Sequence, residues 1–433
     1  MTETAVTDGS DDQPDRPTLD VGFIPAECPG TGAVGATRTS ELLIQKLSHH
    51  HDLTVYVASQ AEANPERLPA RDRVEYVLHD GLAKLPHPLL TKLDAMREEM
   101  GALASHDMVH TYSPGFIPIL ADLDVPTLST LNSYLPACPK GDFRYYDGEK
   151  CTGHGTAKCI NCIAHADIDR RKGVENSLRS VYSSLGKVNY VGDAMTAIHD
   201  VDAFQALSPH IKDDYANMGV DRERITVVPH FYDDEFYHPE WDQPLDDSDG
   251  ITLLHVGRLQ ENKGQESLVR AMPRLLSNHE DLTLRVAGSG GYEEGLHKLA
   301  RQLGVDHAID WLGYVDHDDV PPLYADADAF VYPGLLDEPF GRVLLEALGT
   351  YTPVLASDVG STDYIVGDAG VRFEADNPNA LAEGFDSLVA NYEHHRAAIP
   401  EQLERFAPNT VENAFLDLYE EVAESRTPAT ASH

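Results

Sequence analysis

Short runs rich in β-branched and aromatic residues recur along this chain with longer helix-compatible stretches between them, and this alternation restricts the fold most. In the first half the runs are LDVGFI (19–24), LTVYVA (53–58), DMVHTY (107–112), TLSTL (127–131), VNYV (188–191) and ITVVP (225–229). Stretches such as TRTSELLIQKL (37–47) and ALSPHIKDDYANMG (206–219) lie between them. Strands buried on both faces read as nearly continuous apolar runs, and parallel strands need crossover helices. The pattern therefore predicts parallel sheets covered by helices. It breaks at HPEWDQPLDDSDG (238–250), which is acidic, proline-bearing and without apolar period. It restarts with ITLLHVG (251–257), LTLRVAG (282–288), AIDWLG (308–313), AFVYP (329–333), TPVLAS (352–357) and AGVRF (369–373). The expected class is α/β, with two doubly wound Rossmann-like domains at 18–240 and 251–405.

At the termini the pattern fades. Residues 1–17 are polar and acidic and read as a disordered tail, and TPATASH at the end reads as frayed. Between 406 and 425, TVENAFLDLYEEVAES places Ala414, Leu416, Leu418 and Val422 on an amphipathic helix.

Charge excludes several functions. Lys plus Arg number 33 against 72 Asp plus Glu, a formal net charge of -39. Such a chain repels phosphate polymers, so a nucleic-acid partner is not expected. The acids are dispersed, and 22 Arg against 11 Lys fits a protein of a saline cytoplasm, where salt screens self-repulsion. No long apolar span and no basic-then-apolar leader is visible, so a cytoplasmic protein is expected, at most peripheral at the inner membrane face. Five cysteines, four of them between Cys138 and Cys162, do not form a secreted disulfide framework.

The densest chemistry lies in VYPGLLDEPFGRVLLEALGTYTPVLASDVGS (331–361). A strand ends at Pro333, a loop carries Asp337 and Glu338, and a helix starts near Gly341. Free N–H groups near Phe340, Gly341 and Arg342 would form a partial-positive pocket for a phosphate. Glu346, eight residues after Glu338, lies within reach of a hydroxylated group on that phosphate, although an acidic solvated helix face would look similar. HVGRLQENKG places Gly257, Arg258 and Lys263 after the first strand of the second domain, where ligands sit in open α/β sheets. A guanidinium fork and an ammonium there suit a diphosphate, with a salt bridge to Glu261 or Glu266 the alternative. VAGSGG (286–291) ends the next strand with Gly288 and Gly290, permitting close backbone approach by a nucleotide. In the first domain, PAECPGTGAVGATRTSELL (25–43) is a glycine-rich loop entering a helix, with Gly30, Gly32 and Gly35 as candidates.

These motifs resemble the family 4 retaining glycosyltransferases of the GT-B fold, over residues 19 to about 425. The specific parts are GR-x4-KG (257–264), the glycine-rich strand end (287–290) and the E-x7-E pattern in DEPFGRVLLEAL followed by TPVLAS. The stretch SPHIKDDYANMGVDRERITVVPHFYDDEFYHP (208–239) also looks like the family's approach to the interdomain hinge. The resemblance implies two domains facing across a cleft and a C-terminal helix crossing back onto the first. It implies that Arg258 and Lys263 hold the donor diphosphate, Glu338 the donor sugar and Glu346 the nucleoside ribose. Gly32 would lie beside the donor phosphates and Gly35 on the acceptor side.

Three positions depart from the family pattern. Asn132, in TLNSYLPACP, stands where many relatives carry a histidine in the acceptor site, and His110 in DMVHTYSPG is a candidate substitute. His230 stands where Asn is common, and Gly334 where Ser is usual.

An insert at 136–165, PKGDFRYYDGEKCTGHGTAKCINC at its centre, carries Cys138-x12-Cys151-x7-Cys159-x2-Cys162. Four thiols in a loop-rich segment suit a tetrahedral structural zinc, whose ligation would supply the folding energy such a loop lacks. Two disulfides, an iron–sulfur cluster or four reduced thiols remain alternatives, and His154 and His165 are substitute ligands. A subset of the resembling glycosyltransferases carries a similar insert near the acceptor side.

The activity this implies is transfer of a sugar from a nucleoside-diphosphate sugar to an acceptor hydroxyl on a lipid-linked glycan, glycolipid or surface polysaccharide. Retention of anomeric configuration and no catalytic metal are expected. A nucleotide-sugar epimerase of the same plan and a non-catalytic nucleotide-sugar-binding subunit are the alternatives.

Overall fold

The structure is a computed structural model that describes residues 16–31, 35–58, 65–79, 88–146, 148–169, 174–245 and 250–426. Seven strands form the first sheet: β1 (Asp20–Ile24), β2 (Asp52–Val57), β3 (Glu75–Leu78), β4 (Met108–Thr111), β5 (Thr127–Leu131), β6 (Ala203–Ala206) and β7 (Ile225–Val227). Six form the second: β8 (Thr252–Val256), β9 (Thr283–Ala287), β10 (Ile309–Gly313), β11 (Ala329–Tyr332), β12 (Val354–Ser357) and β13 (Gly370–Phe373). Every pairing is parallel, in the orders β3-β2-β1-β4-β5-β6-β7 and β10-β9-β8-β11-β12-β13. Strand order reverses between β1 and β4 and again between β8 and β11. Loops leaving neighbouring strands at such a point turn to opposite faces, which opens a crevice at the strand C-termini.

Helices cover both faces of each sheet. On one face of the first sheet lies helix Pro408–Glu424, which has crossed back from the second domain and buries Val411, Phe415, Leu416, Leu418, Tyr419 and Val422 against Val21, Phe23, Leu53 and Val55 of β1 and β2. Side chains of this size contribute about 1.5–3 kcal/mol each on full burial, so the crossover helix is an integral layer of the first domain. The outgoing and returning chains touch where the Tyr232 N–H donates to the Phe406 carbonyl at 3.0 Å. No described helix is long and apolar enough to cross a membrane.

The structure corrects two expectations. VNYV (188–191) is not a strand. It lies inside the 24-residue helix Val174–Ala197, where Val188, Val191 and Ala194 are buried at helical spacing. Tertiary packing overrides the strand preference of two valines and a tyrosine, and the strand at this point in the sheet is the less apolar AFQA of β6. Arg16 does not belong to a free tail either. It pairs with Asp417 at 2.7 Å and Glu420 at 3.1 Å on the crossover helix. Residues 1–15, linker residues 246–249 and the end segment 427–433 lie outside the described residues.

Candidate active site

At the end of β8 the chain passes Gly257 and the exposed Arg258 to Lys263 and Gly264. Three glycines allow backbones to pack directly against one another. A Cβ on Gly288 would lie 1.9 Å from the Gly257 carbonyl oxygen, one on Gly290 2.1 Å from that of Leu259, and one on Gly264 1.8 Å from that of Pro333. Gly264 also sits at φ 75°, a left-handed conformation that side chains disfavour. The close approach expected of Gly288 and Gly290 is thus made by the neighbouring loop. Gln265 braces that loop, its amide donating to the Arg258 carbonyl at 3.0 Å and lying 3.2 Å from His255 Nε2. His255 in turn donates from Nδ1 to the Val331 carbonyl at 3.1 Å, and burial lowers its pKa to about 4, so the ring is neutral.

The loop after β11 supplies the other wall. Glu338 is ion-paired with Lys263, both side chains being part-exposed. Asp337 accepts the Gly360 N–H at 3.1 Å. Tyr332 is buried beside Glu338, and burial first, then that carboxylate, hold its hydroxyl protonated. A Cβ at Gly334 would meet the Tyr332 ring at 2.7 Å, which explains why this chain carries no serine there. Gly341 then caps helix Arg342–Gly349 without a side-chain hydrogen bond. The N–H groups of Gly341, Arg342 and Val343 donate to no described group, leaving a local positive potential at the cleft. Phe340 does not stand free: its ring packs 4.6 Å from His230 and 5.9 Å from Phe406. Glu346 is only 8% exposed and accepts from the Tyr324 hydroxyl at 3.2 Å; burial raises its pKa, with Arg342 opposing.

In the first domain the loop after β1 leads into the helix whose Thr39 meets Arg342 of the second. Gly30 donates its N–H to Glu41 at 2.7 Å, and Gly35, at φ 74°, begins helix Ala36–Leu47. Gly32 lies outside the described residues. Asn132, just past β5, is half-buried and donates its amide to the Tyr112 carbonyl at the end of β4. His110 is a correction. It is fully buried in β4, with Nδ1 2.7 Å from the Tyr419 hydroxyl and Nε2 2.8 Å from Thr130 Oγ1. Burial lowers its pKa to about 3. Its side chain points into the core beneath the crossover helix, so it cannot meet an acceptor.

Several residues that join the domains were missed in the sequence. Arg342 donates to Thr39 Oγ1 at 3.1 Å and lies 3.8 Å from Asp233, which Arg38 engages at 2.8 Å. The Ser208 hydroxyl donates to the Pro339 carbonyl at 2.7 Å. His230, noted above as a departure from the family pattern, lies 2.7 Å from the Tyr112 hydroxyl in its own domain, packs on Phe340 of the second, and is held neutral by burial and by the nearby Arg342 charge. The scarcity of cations in so acidic a chain was the available signal, since Arg38 and Arg342 flank the two motifs already singled out.

Residues 34–236 match the family described as Glycosyltransferase Family 4, and residues 239–405 match Glycosyl transferases group 1. Each half of the chain thus matches a glycosyltransferase family model. An uncharacterized glycosyltransferase of Methanocaldococcus jannaschii is 38% identical over 170 residues, 39% of this chain and 40% of that protein. A glycogen synthase of Mycobacterium tuberculosis is 35% identical over 173 residues, 39% of this chain and 42% of that protein. The match thus spans about two fifths of the length of these curated relatives. Sucrose-phosphate synthase from Thermosynechococcus elongatus superposes with a TM-score of 0.66 at 17% identity, covering 93% of this chain and 98% of that one. Anabaena HepE in complex with UDP-glucose superposes at 0.63 and 15% identity, covering 93% and 100%. At such identities the likeness is one of fold, the two-domain GT-B arrangement.

The insert brings Cys138, Cys151, Cys159 and Cys162 to the wall of one cavity, and none is in a disulfide. Among the described residues no three of these sulfurs lie within 4.8 Å of one another. The group that does meet that spacing is Asp233, Glu235 and His317, and Arg38 already binds both of its carboxylates. His154 and His165 do not line the cysteine cavity.

Proposed function

We propose that this protein transfers a hexose-type sugar from a nucleoside diphosphate to an acceptor hydroxyl, with retention at the anomeric carbon. The observation that carries the reading is the Lys263–Glu338 pair beside the uncapped start of helix Arg342–Gly349, at the point where the second sheet reverses strand order. As the glycosidic bond breaks, negative charge gathers on the leaving diphosphate and the sugar becomes oxocarbenium-like. Arg258, Lys263 and the N–H groups of residues 341–343 meet that charge, so the chemistry does not call for a divalent ion. Glu338, released by Lys263 as the ammonium turns to the diphosphate, accepts from the sugar hydroxyls. The acceptor oxygen attacks from the face the diphosphate leaves, and its proton passes to the leaving phosphate oxygen. Glu346 reaches the ribose through its remaining carboxylate oxygen.

Gly35 and Asn132 bound the acceptor side. A lipid-linked glycan, glycolipid or surface polysaccharide is the acceptor class, met by transient association with the inner membrane face. A cytoplasm of high salt belongs to the same reading, in keeping with the formal net charge of -39. The test is a panel of UDP-, GDP- and ADP-sugars screened by thermal shift in high salt, since a ligand bound only by the native state raises stability. The stabilising donor is then incubated with membrane extract, and transfer is followed by mass spectrometry. A donor that binds and is converted without acceptor points instead to epimerisation.

A further inference from the structure

The cysteine insert does more than line a cavity. Its backbone is tied around Arg144. The Cys162 thiol lies 4.0 Å from the Arg144 carbonyl, the Arg144 N–H donates to Asp142 at 3.1 Å, and Asp142 also receives the Cys138 thiol at 3.8 Å. The Cys151 N–H donates to the Phe143 carbonyl at 2.8 Å, and Arg144 bridges to Lys150 across the loop. From this mount the Arg144 side chain leaves the first domain and reaches 3.6 Å from Asp337 in the second, one residue before Glu338. Its Nε is buried without a partner. The cavity behind it measures about 20 Å³, whereas about 10–15 Å³ suffices for one water. Cys138, Cys159 and Cys162 are buried, and Arg144 and Lys158 line the same wall. A metal bound by four thiolates carries excess negative charge, and those two cations offset it.

We infer that Cys138, Cys151, Cys159 and Cys162 close on one zinc ion, and that this module is the mount for Arg144, a positioning residue that holds the Asp337–Glu338 loop across the cleft. On ligation each thiol releases its proton to solvent and donates a sulfur lone pair, and the insert tightens around the cavity. The assignment of residues 337–338 to the sugar site rests on the function proposed above. The zinc site and the mount do not.

The test uses the full chain purified from zinc-containing medium under reducing conditions. Elemental analysis should give one zinc per chain, with four thiols that react with dithionitrobenzoate only after a strong chelator is added. Cys159→Ser and Cys162→Ser should lower zinc content roughly tenfold or more. Chelation of the wild-type protein gives the same comparison should those variants fail to fold. Hydrogen exchange at the 335–341 amides should rise both on chelation and in Arg144→Ala, which keeps its zinc, and Arg144→Lys should recover part of the protection. UDP-glucose should bind Arg144→Ala roughly tenfold more weakly. Zinc-free protein with four reactive thiols or two disulfides overturns the metal site. Unchanged exchange in zinc-loaded Arg144→Ala overturns the mount. Wild-type protein that meets both expectations yet binds no nucleotide sugar counts against the transfer reading alone.

Discussion

Lys263 and Glu338, 75 residues apart in the chain, are ion-paired across the ends of β8 and β11. With side chains 31% and 28% exposed, the pair adds at most about 1 kcal/mol to stability. On the proposed function, each partner exchanges the other for a piece of the donor. Lys263→Ala and Glu338→Ala should each lower kcat/KM for transfer roughly 100-fold or more while thermal unfolding hardly moves. The double variant should lose less than the sum of the two, a coupling readable from a double-mutant cycle.

The glycines beneath this pair should behave in the opposite way. A Cβ at Gly264 or Gly288 would stand within 2 Å of a backbone oxygen, at 1.8 and 1.9 Å, and neither backbone can yield without separating two strand ends. Gly264→Ala and Gly288→Ala should destabilise the protein by roughly 3 kcal/mol or more, seen as a lower urea midpoint. Gly35→Ala meets no atom within 4 Å and should cost only the backbone strain of φ 74° with ψ -127°, about 1–3 kcal/mol.

Acid sensitivity follows from the buried histidines. His110 and His255 are neutral in the fold, with pKa values near 3 and 4, but titrate near about 6.5 in the unfolded chain. Between those values the unfolded state binds more protons, so stability rises with pH. Their contribution is complete above about pH 6.5 and is lost as pH falls toward about 4, each on the order of 3 kcal/mol. Urea midpoints measured from pH 8 to pH 4 should fall steeply in wild type and less steeply in His255→Gln.

Arg342 clasps the domains from the first turn of the E-x7-E helix, and its side chain is only 9% exposed. Arg342→Ala removes the Thr39 contact but leaves Asp233 held by Arg38. Transfer should fall roughly tenfold, mainly in kcat, because closure excludes water from the reacting centre. Small-angle scattering should show a more open average shape in the variant.

Much of this architecture was legible because parallel strands buried on both faces leave an unbroken apolar trace. VNYV misled because a helix packed on a sheet presents the same residues, and AFQA of β6 was missed because its buried Gln205, satisfied by Thr130 and the Val228 carbonyl, interrupts the apolar run. The positions of Arg258 and Lys263 after one strand and of Glu338 after another were readable from local spacing. The Arg342–Thr39 contact spans 303 residues and exists only once the domains face each other. His110 looked like a strand-end histidine in the sequence, but the crossover helix, 309 residues on, supplies the Tyr419 hydroxyl that makes it core.

Calorimetric titration of UDP into the wild-type protein, Arg258→Ala and Lys263→Ala at high salt tests the diphosphate clamp most directly, with uridine as the control. The clamp predicts one UDP per wild-type chain, binding at least roughly tenfold weaker in each variant, and no measurable uridine binding at the same concentrations. Equal UDP affinity in all three proteins, or uridine binding as tightly as UDP, would contradict it.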